Sequence, residues 1–239
     1  MIPKGLHGDV LDALGHRIAS GDLTEGTVLT LAHLEESYGA SRTVVREAVR
    51  VLESMGMLAS RRRVGITVQP RERWDELDPK VIRWTLAGPA RQQHLEALME
   101  LRVAVEPIAA ALAAQRATPE QRAELIRLSD VMTELGTQGQ ADTAPYLEAD
   151  LAFHSLVLTA SGNPLLSALE QPVREVLAGR THFGMHPKTP APGTLEQHAT
   201  VAAAVAEGDA AAAEQSSRAH LRGVWEEILP GRGAAPQDG

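Results

Sequence analysis

The sequence predicts a mainly α-helical chain in two parts: an N-terminal α+β unit and a C-terminal all-α antiparallel helical bundle. Three observations predict it. Between residues 31 and 68, two short helical patterns precede two β-prone runs that flank an arginine-rich bend. From Ala90 onward, apolar residues recur at helical spacing with no strand signal. The helical stretches there are separated by short Gly, Pro and Asn signals, which leave room only for tight connections between neighbouring helices.

Its 239 residues suffice for two ordinary domains with buried cores. The absence of cysteine excludes disulfides and thiolate metal sites and favours an intracellular setting. The opening MIPKGLHGDV lacks the apolar centre of a signal peptide, and no apolar run approaches a membrane span. The expectation is a cytoplasmic protein with no membrane partner. Net charge is −8, but it is unevenly placed. Residues 1–73 carry ten Lys or Arg against nine Asp or Glu, whereas the rest carries thirteen against twenty-two. A local basic patch decides phosphate binding more than the whole-chain charge does.

The elements follow in order. Val10, Leu11, Leu14 and Ile18 give a first helix between Gly8 and Ser20. The turn-rich Gly21–Gly26 leads to a short helix over Leu31–Tyr38, then a tight turn at Gly39-Ala40. Ser41–Met55 organises this half. On a helix, Val44, Val45, Ala48, Val51, Leu52 and Met55 form one apolar face, with Arg42, Arg46 and Arg50 roughly opposite. Ser41 stands at the N-cap, where its hydroxyl can accept an orphan backbone N–H. Amphipathic helices commonly carry solvated arginines; here cap, turn, arginine spacing and the Leu58–Val68 hairpin occur in sequence, which reads as a winged helix-turn-helix over residues 1–70.

Residues 71–88 form a packed helical linker, in which Trp74, Leu77, Val81, Ile82 and Trp84 supply apolar contacts. Residues 89–229 form the bundle, with helical patterns over 90–115, 118–136, 144–160, 163–179, 194–207 and 209–229. Thr118-Pro119-Glu120-Gln121 has the composition of a capping box. Thr181–Pro192, with three prolines, reads as a surface loop, and 230–239 as a disordered tail.

In the bundle, Asp150 and His154 lie at i, i+4 and share a helix face, while His198 and His220 sit on two later helices. One carboxylate and three imidazoles can enclose a divalent cation such as zinc, nickel or manganese. Spacing alone leaves this open, since lone histidines are more often hydrogen-bonded core or surface residues. Arg102 lies on the inward side of a mostly apolar helix and needs an anionic partner. That partner is either Glu106, one turn on, or the carboxylate of a ligand held bidentately.

Together these residues carry a resemblance. Ser41-Arg-Thr-Val-Val-Arg-Glu-Ala48 and the wing resemble the GntR family of bacterial transcription regulators. E-L-R-x-x-x-E (100–106), D-x-x-F-H (150–154), G-N-P (162–164) and A-H-L (219–221) resemble the FCD effector domain of its FadR-type subgroup. The resemblance implies a homodimer on a palindromic double-stranded operator and no enzymatic activity. It places Ser41, Arg42, Thr43, Arg46 and Arg50, with Arg61, Arg62, Arg63 and Gly65 of the wing, at the DNA. It makes Asp150, His154, His198 and His220 ligands of a divalent metal, zinc first with nickel or manganese as alternatives, and Arg102 the partner of a small carboxylate effector. The linker Trp74-Asp-Glu-Leu-Asp-Pro-Lys-Val-Ile-Arg-Trp84 is similar to that of the aldonate-responsive branch, the galactonate and gluconate repressors, which points to a repressor released by a sugar acid. The resemblance breaks at Leu29–Leu34, where relatives carry an arginine and this chain has none. Two other readings stand beside it: a metal-dependent hydrolase or isomerase on a helical bundle, and a regulator with a fatty-acid or amino-acid effector and no functional metal.

Overall fold

A computed structural model describes residues 6–182 and 193–228. It divides into two compact units, one up to His94 and one from Leu95 on.

In the first unit, α1 (Leu6–Ala19), α2 (Leu31–Tyr38) and α3 (Arg42–Ser54) surround a small sheet of β1 (Val28–Leu29), β2 (Leu58–Arg61) and β3 (Gly65–Val68). The antiparallel order is β1-β3-β2, with Leu58 opposite Val68 and Arg61 opposite Gly65. Local chemistry sets these boundaries. The Thr30 hydroxyl accepts from the His33 N–H at the start of α2, and Gly39, at φ 57°, ends it in the left-handed conformation glycine tolerates. The Ser41 hydroxyl accepts from the Val44 N–H at 3.5 Å and opens α3. Leu14, Leu34, Val45, Ala48, Leu52 and Met57 form the core.

The buried face of α3 is wider than its periodicity suggests. Val49 is buried in addition to Val45, Ala48, Leu52 and Met55, and Val44 and Val51 pack partly buried against the same core. The helix packs against α1 and also borders α2 and the sheet, so its apolar arc extends toward Leu31 and Ile66. A 3-10 turn (Arg71–Arg73) and α4 (Pro79–Ala87) follow. Trp84 and Val81 join the core of this unit; Leu77, expected to pack, is 44% exposed. Trp84 lies against α1 at Gly15, where a Cβ would come within 2.4 Å of its ring.

The second unit contains most of α5 (Arg91–Arg116), then α6 (Pro119–Thr137), α7 (Ala144–Ala160), α8 (Pro164–Ser167), α9 (Glu170–His182), α10 (Thr194–Glu207) and α11 (Ala210–Ile228). Helix α6 packs on α7 and α10, α7 on α9, and α10 on α11. Small residues at the core (Ala109, Ala110, Ala113, Ala202 and Ala213) let the helices approach closely. The Thr118–Gln121 capping box forms in both directions. The single helix expected over 163–179 is broken at Ala168-Leu169. Pro172 cannot donate to the Ala168 carbonyl and its ring crowds that carbonyl, so the chain restarts as α9 with Pro172 in its first turn. Helix α9 takes in Thr181 and His182 of the expected loop; the rest of that loop and the expected tail lie outside the described residues. Among the described residues, no helix is long and apolar enough to cross a membrane.

Candidate functional site

The exposed face of α3 carries Arg42, Thr43, Arg46, Glu47 and Arg50 beside exposed Ser41. Arg50 pairs with Glu47 at 2.7 Å and Arg42 stands 4.0 Å from Glu35. Both arginines are exposed and such surface pairs contribute little, about 0–1 kcal/mol, so these guanidinium groups are free to exchange them for phosphate or a base edge. Arg61, Arg62, Arg63 and Val64 are exposed at the tip of the hairpin. Gly65 has φ 115° and a Cβ there would approach the Leu29 carbonyl oxygen to 2.9 Å, so glycine is required to close the wing onto β1. The Glu53 carboxylate accepts from the Ser60 N–H at 2.7 Å, which ties α3 to edge strand β2. A cleft of about 300 Å³ lies between helix and wing, lined by Leu31, Arg46, Val49, Arg50, Glu53 and Ile66 among others.

The second unit buries a cluster of polar groups that packing does not require. Asp150 and His154 on α7, His198 on α10 and His220 on α11 are each no more than 3% exposed. One ring nitrogen from each of His154, His198 and His220 lies within 4.8 Å of the others. Asp150 Oδ1 is 3.4 Å from Nε2 of both His154 and His198. The Phe153 ring meets those of His154 and His198 edge-on. Arg102, fully buried on α5, clamps Glu106 through Nε to Oε1 at 2.5 Å and Nη2 to Oε2 at 3.5 Å. Its Nη2 also lies 3.3 and 3.4 Å from the two ring nitrogens of His154. Near-equal distances to both put it against the ring face, not in line with either lone pair. Glu106 Oε2 in turn receives His154 Nδ1 at 2.7 Å.

The proton positions follow from the acceptors. A carboxylate and a backbone carbonyl only accept, so His154 Nδ1 donates to Glu106, and His198 Nδ1 donates to the Thr194 carbonyl at 3.0 Å. In the neutral rings both Nε2 atoms then present lone pairs to Asp150. His198 Nε2 and His220 Nδ1 are buried without a hydrogen-bond partner. Acceptors facing a carboxylate repel unless a proton or a cation stands among them, and the donor set (three imidazoles and one carboxylate) suits a divalent metal. These residues fit such an ion.

Protonated rings are the other way to relieve that repulsion. Burial would raise the Asp150 carboxyl, but hydrogen bonds and charge from His154 and His198, when those rings carry the extra proton, hold it well below its ordinary value. Burial likewise opposes ionisation of Glu106, and Arg102 and His154 overcome it, bringing the carboxyl to about 2. For His154 burial is the largest influence and disfavours the charge, as does Arg102, yet the charge of Glu106 together with hydrogen bonds to Asp150 and Glu106 raises it. Burial, then the charges of His198, His154 and Arg102, push His220 well below its ordinary value. Sequence reasoning had Glu106 only as a partner for Arg102. Its contact with His154, 48 residues on, arises from packing and leaves no local signal.

Fold and exposed basic face fit a DNA-binding transcription regulator with a helical second domain. Residues 6–68 match the bacterial regulatory proteins of the gntR family, and residues 97–223 match the FCD domain. The chain belongs to the GntR family, of the type that carries an FCD domain. It is 31% identical over 220 residues to the HTH-type transcriptional regulator YieP of Escherichia coli, covering 92% of this chain and 94% of that one. It is 31% identical over 212 residues to the galactonate operon transcriptional repressor of Escherichia coli, covering 87% and 90%. A solved structure of Lar, which controls the agr system of Listeria monocytogenes, superposes with a TM-score of 0.58 at 18% identity, covering 94% and 97%; that likeness concerns the fold alone. These relatives are regulators, not enzymes, which sets aside the hydrolase or isomerase reading.

Proposed function

We propose that the chain is a cytoplasmic repressor whose homodimer leaves a palindromic operator when a small carboxylic acid, a sugar acid by preference, binds at a metal held by Asp150, His154, His198 and His220. The observation that carries this reading is the pair of buried ring nitrogens, His198 Nε2 and His220 Nδ1, that have no hydrogen-bond partner among the described residues beside the Asp150 carboxylate. Such groups destabilise a core unless a ligand uses them. Zinc is the favoured ion, with nickel or manganese as alternatives, since imidazole and carboxylate suit all three. When bound, the metal supplies a Lewis acid that takes an oxygen donor.

Arg102 adds the second half of an acid-binding site. Its Nε and Nη2 hold Glu106, while Nη1, among the described residues, meets the weak thioether acceptor of Met99 at 3.8 Å and can give that contact up for a carboxylate oxygen. The named galactonate repressor supports a polyhydroxy acid as effector, because a 2-hydroxy carboxylate offers two adjacent oxygens to a metal and one to a guanidinium. At the DNA, Arg42, Arg46 and Arg50 with Ser41 and Thr43 read the major groove and its phosphates; Arg61, Arg62, Arg63 and Gly65 engage the neighbouring backbone and minor groove. Two such units are needed for half-sites about one helical turn apart.

A mobility-shift assay on the protein's own promoter, with D-galactonate, D-gluconate, a fatty acid and an amino acid in separate lanes, tests the reading. Sedimentation and elemental analysis of the same sample accompany it. A dimer carrying one divalent ion per chain and released by an aldonate is expected. Release by the fatty or amino acid alone, from a metal-free protein, would overturn it.

A further inference from the structure

We propose that Glu106 is the positioning residue that presents His154 to the histidine cluster, and that Arg102 holds Glu106 in place to do so; this deepens the metal reading above and rests on it. Glu106 sits on α5 and is 1% exposed, yet both of its oxygens are engaged: Oε1 by Arg102 Nε at 2.5 Å, Oε2 by His154 Nδ1 at 2.7 Å. His154 has a competing acceptor. Asp150 Oδ1 lies 3.4 Å from Nε2, so the ring's one proton can sit on Nδ1 toward Glu106 or on Nε2 toward Asp150. Hydrogen bonds weaken with length, and the 2.7 Å contact wins over the 3.4 Å one.

The outcome matters to the site. With the proton on Nδ1, Nε2 offers its lone pair beside Asp150 and His198. With the proton on Nε2, the ring blocks the cluster and uses up an oxygen of Asp150. Glu106 therefore selects the tautomer in which His154 can act as a ligand, as an acceptor behind a metal-binding imidazole does. Arg102 has the supporting part. It grips both oxygens of Glu106 and lies against the His154 ring face, so it fixes the carboxylate and the ring plane together. His198 has its own local support in the Thr194 carbonyl one turn back. His154 Nδ1 takes its acceptor from α5.

The test uses zinc as the probe and needs no effector. Replacing Glu106 alone strands the buried Arg102 charge, so E106Q is paired with the double variant R102M/E106L, which removes both charges and keeps the volume apolar. Long-range 1H–15N spectra of the metal-free protein, taken at alkaline pH where the ring is neutral, read the His154 tautomer, and chelator competition reads zinc affinity. Wild type is expected as the Nδ1–H tautomer. R102M/E106L is expected as the Nε2–H tautomer, with zinc bound about 10–100-fold more weakly and a melting temperature no lower than wild type. An Nε2–H tautomer in wild type, or zinc affinity unchanged in a folded R102M/E106L, overturns the proposal. A wild type that takes up no zinc sinks the metal reading instead, and the tautomer measurement then decides the part played by Glu106 by itself.

Discussion

His220→Leu separates a functional cluster from an ordinary polar core. His220 is 3% exposed, its Nδ1 has no hydrogen-bond partner, and its ring lies 4.1 Å from that of His198. Leaving such a nitrogen buried costs about 1–3 kcal/mol. Leucine fills a similar volume, with an imperfect fit costing about 1 kcal/mol or less. The net expectation in chelator is a stabilisation of about 1–2 kcal/mol, which raises the melting temperature by roughly 2–8 °C for a chain of this size. Zinc reverses the order. At a free concentration of about 100 times the dissociation constant, wild type gains about 2.7 kcal/mol by mass action, and the variant, short of a ligand, gains far less. Differential scanning calorimetry in chelator and in zinc reads both effects. A His220→Leu protein that melts below wild type in chelator, with zinc raising both equally, would refute the reasoning and return the cluster to structural packing.

Three further outcomes follow from the geometry. Arg46→Ala removes an exposed side chain proposed above to read a base, so specific operator affinity should fall by about 1–3 kcal/mol while circular dichroism stays helical; fluorescence anisotropy with operator and scrambled duplexes checks this. Arg122→Met should lower stability by about 2–3 kcal/mol. Its guanidinium donates to Ala114 at 2.6 Å, Ala117 at 3.1 Å, Ala206 at 2.9 Å and to Val205, closing the C-terminal ends of α5 and α10, and urea unfolding measures the loss. His94 is lowered from 6.5, by burial first and Arg71 in addition, against the opposing charge of Glu76. The unfolded chain therefore takes up a proton that the folded one refuses. Stability is complete above that ordinary value and declines as pH falls below it. Urea midpoints at pH 7.5 and 5.5 should differ less in His94→Gln than in wild type.

Much of the fold is legible because its signals are local. Ser41, Thr30 and Thr118 cap helices through their own following residues, and Gly39 and Gly65 occupy backbone conformations that other residues avoid. Features that depend on neighbours in space are not legible. Val49 is buried in addition to the expected face because α3 borders two surfaces at once. Pro172 divides a stretch whose apolar spacing continues across it. In the cluster, only Asp150 and His154 share a helix face. Their meeting with His198 and His220 depends on how α7, α10 and α11 pack, and the grip of Glu106 on His154 depends on α5.

The most direct measurement of metal-coupled control is an operator titration of wild type and His198→Ala with D-galactonate, each sample assayed for zinc. Wild type should carry zinc, bind the promoter fragment and release it as galactonate rises. His198→Ala should lose zinc and the response, because it lacks the Nε2 beside Asp150, yet bind the fragment as tightly as wild type. Full release by galactonate from a zinc-free protein would contradict the account.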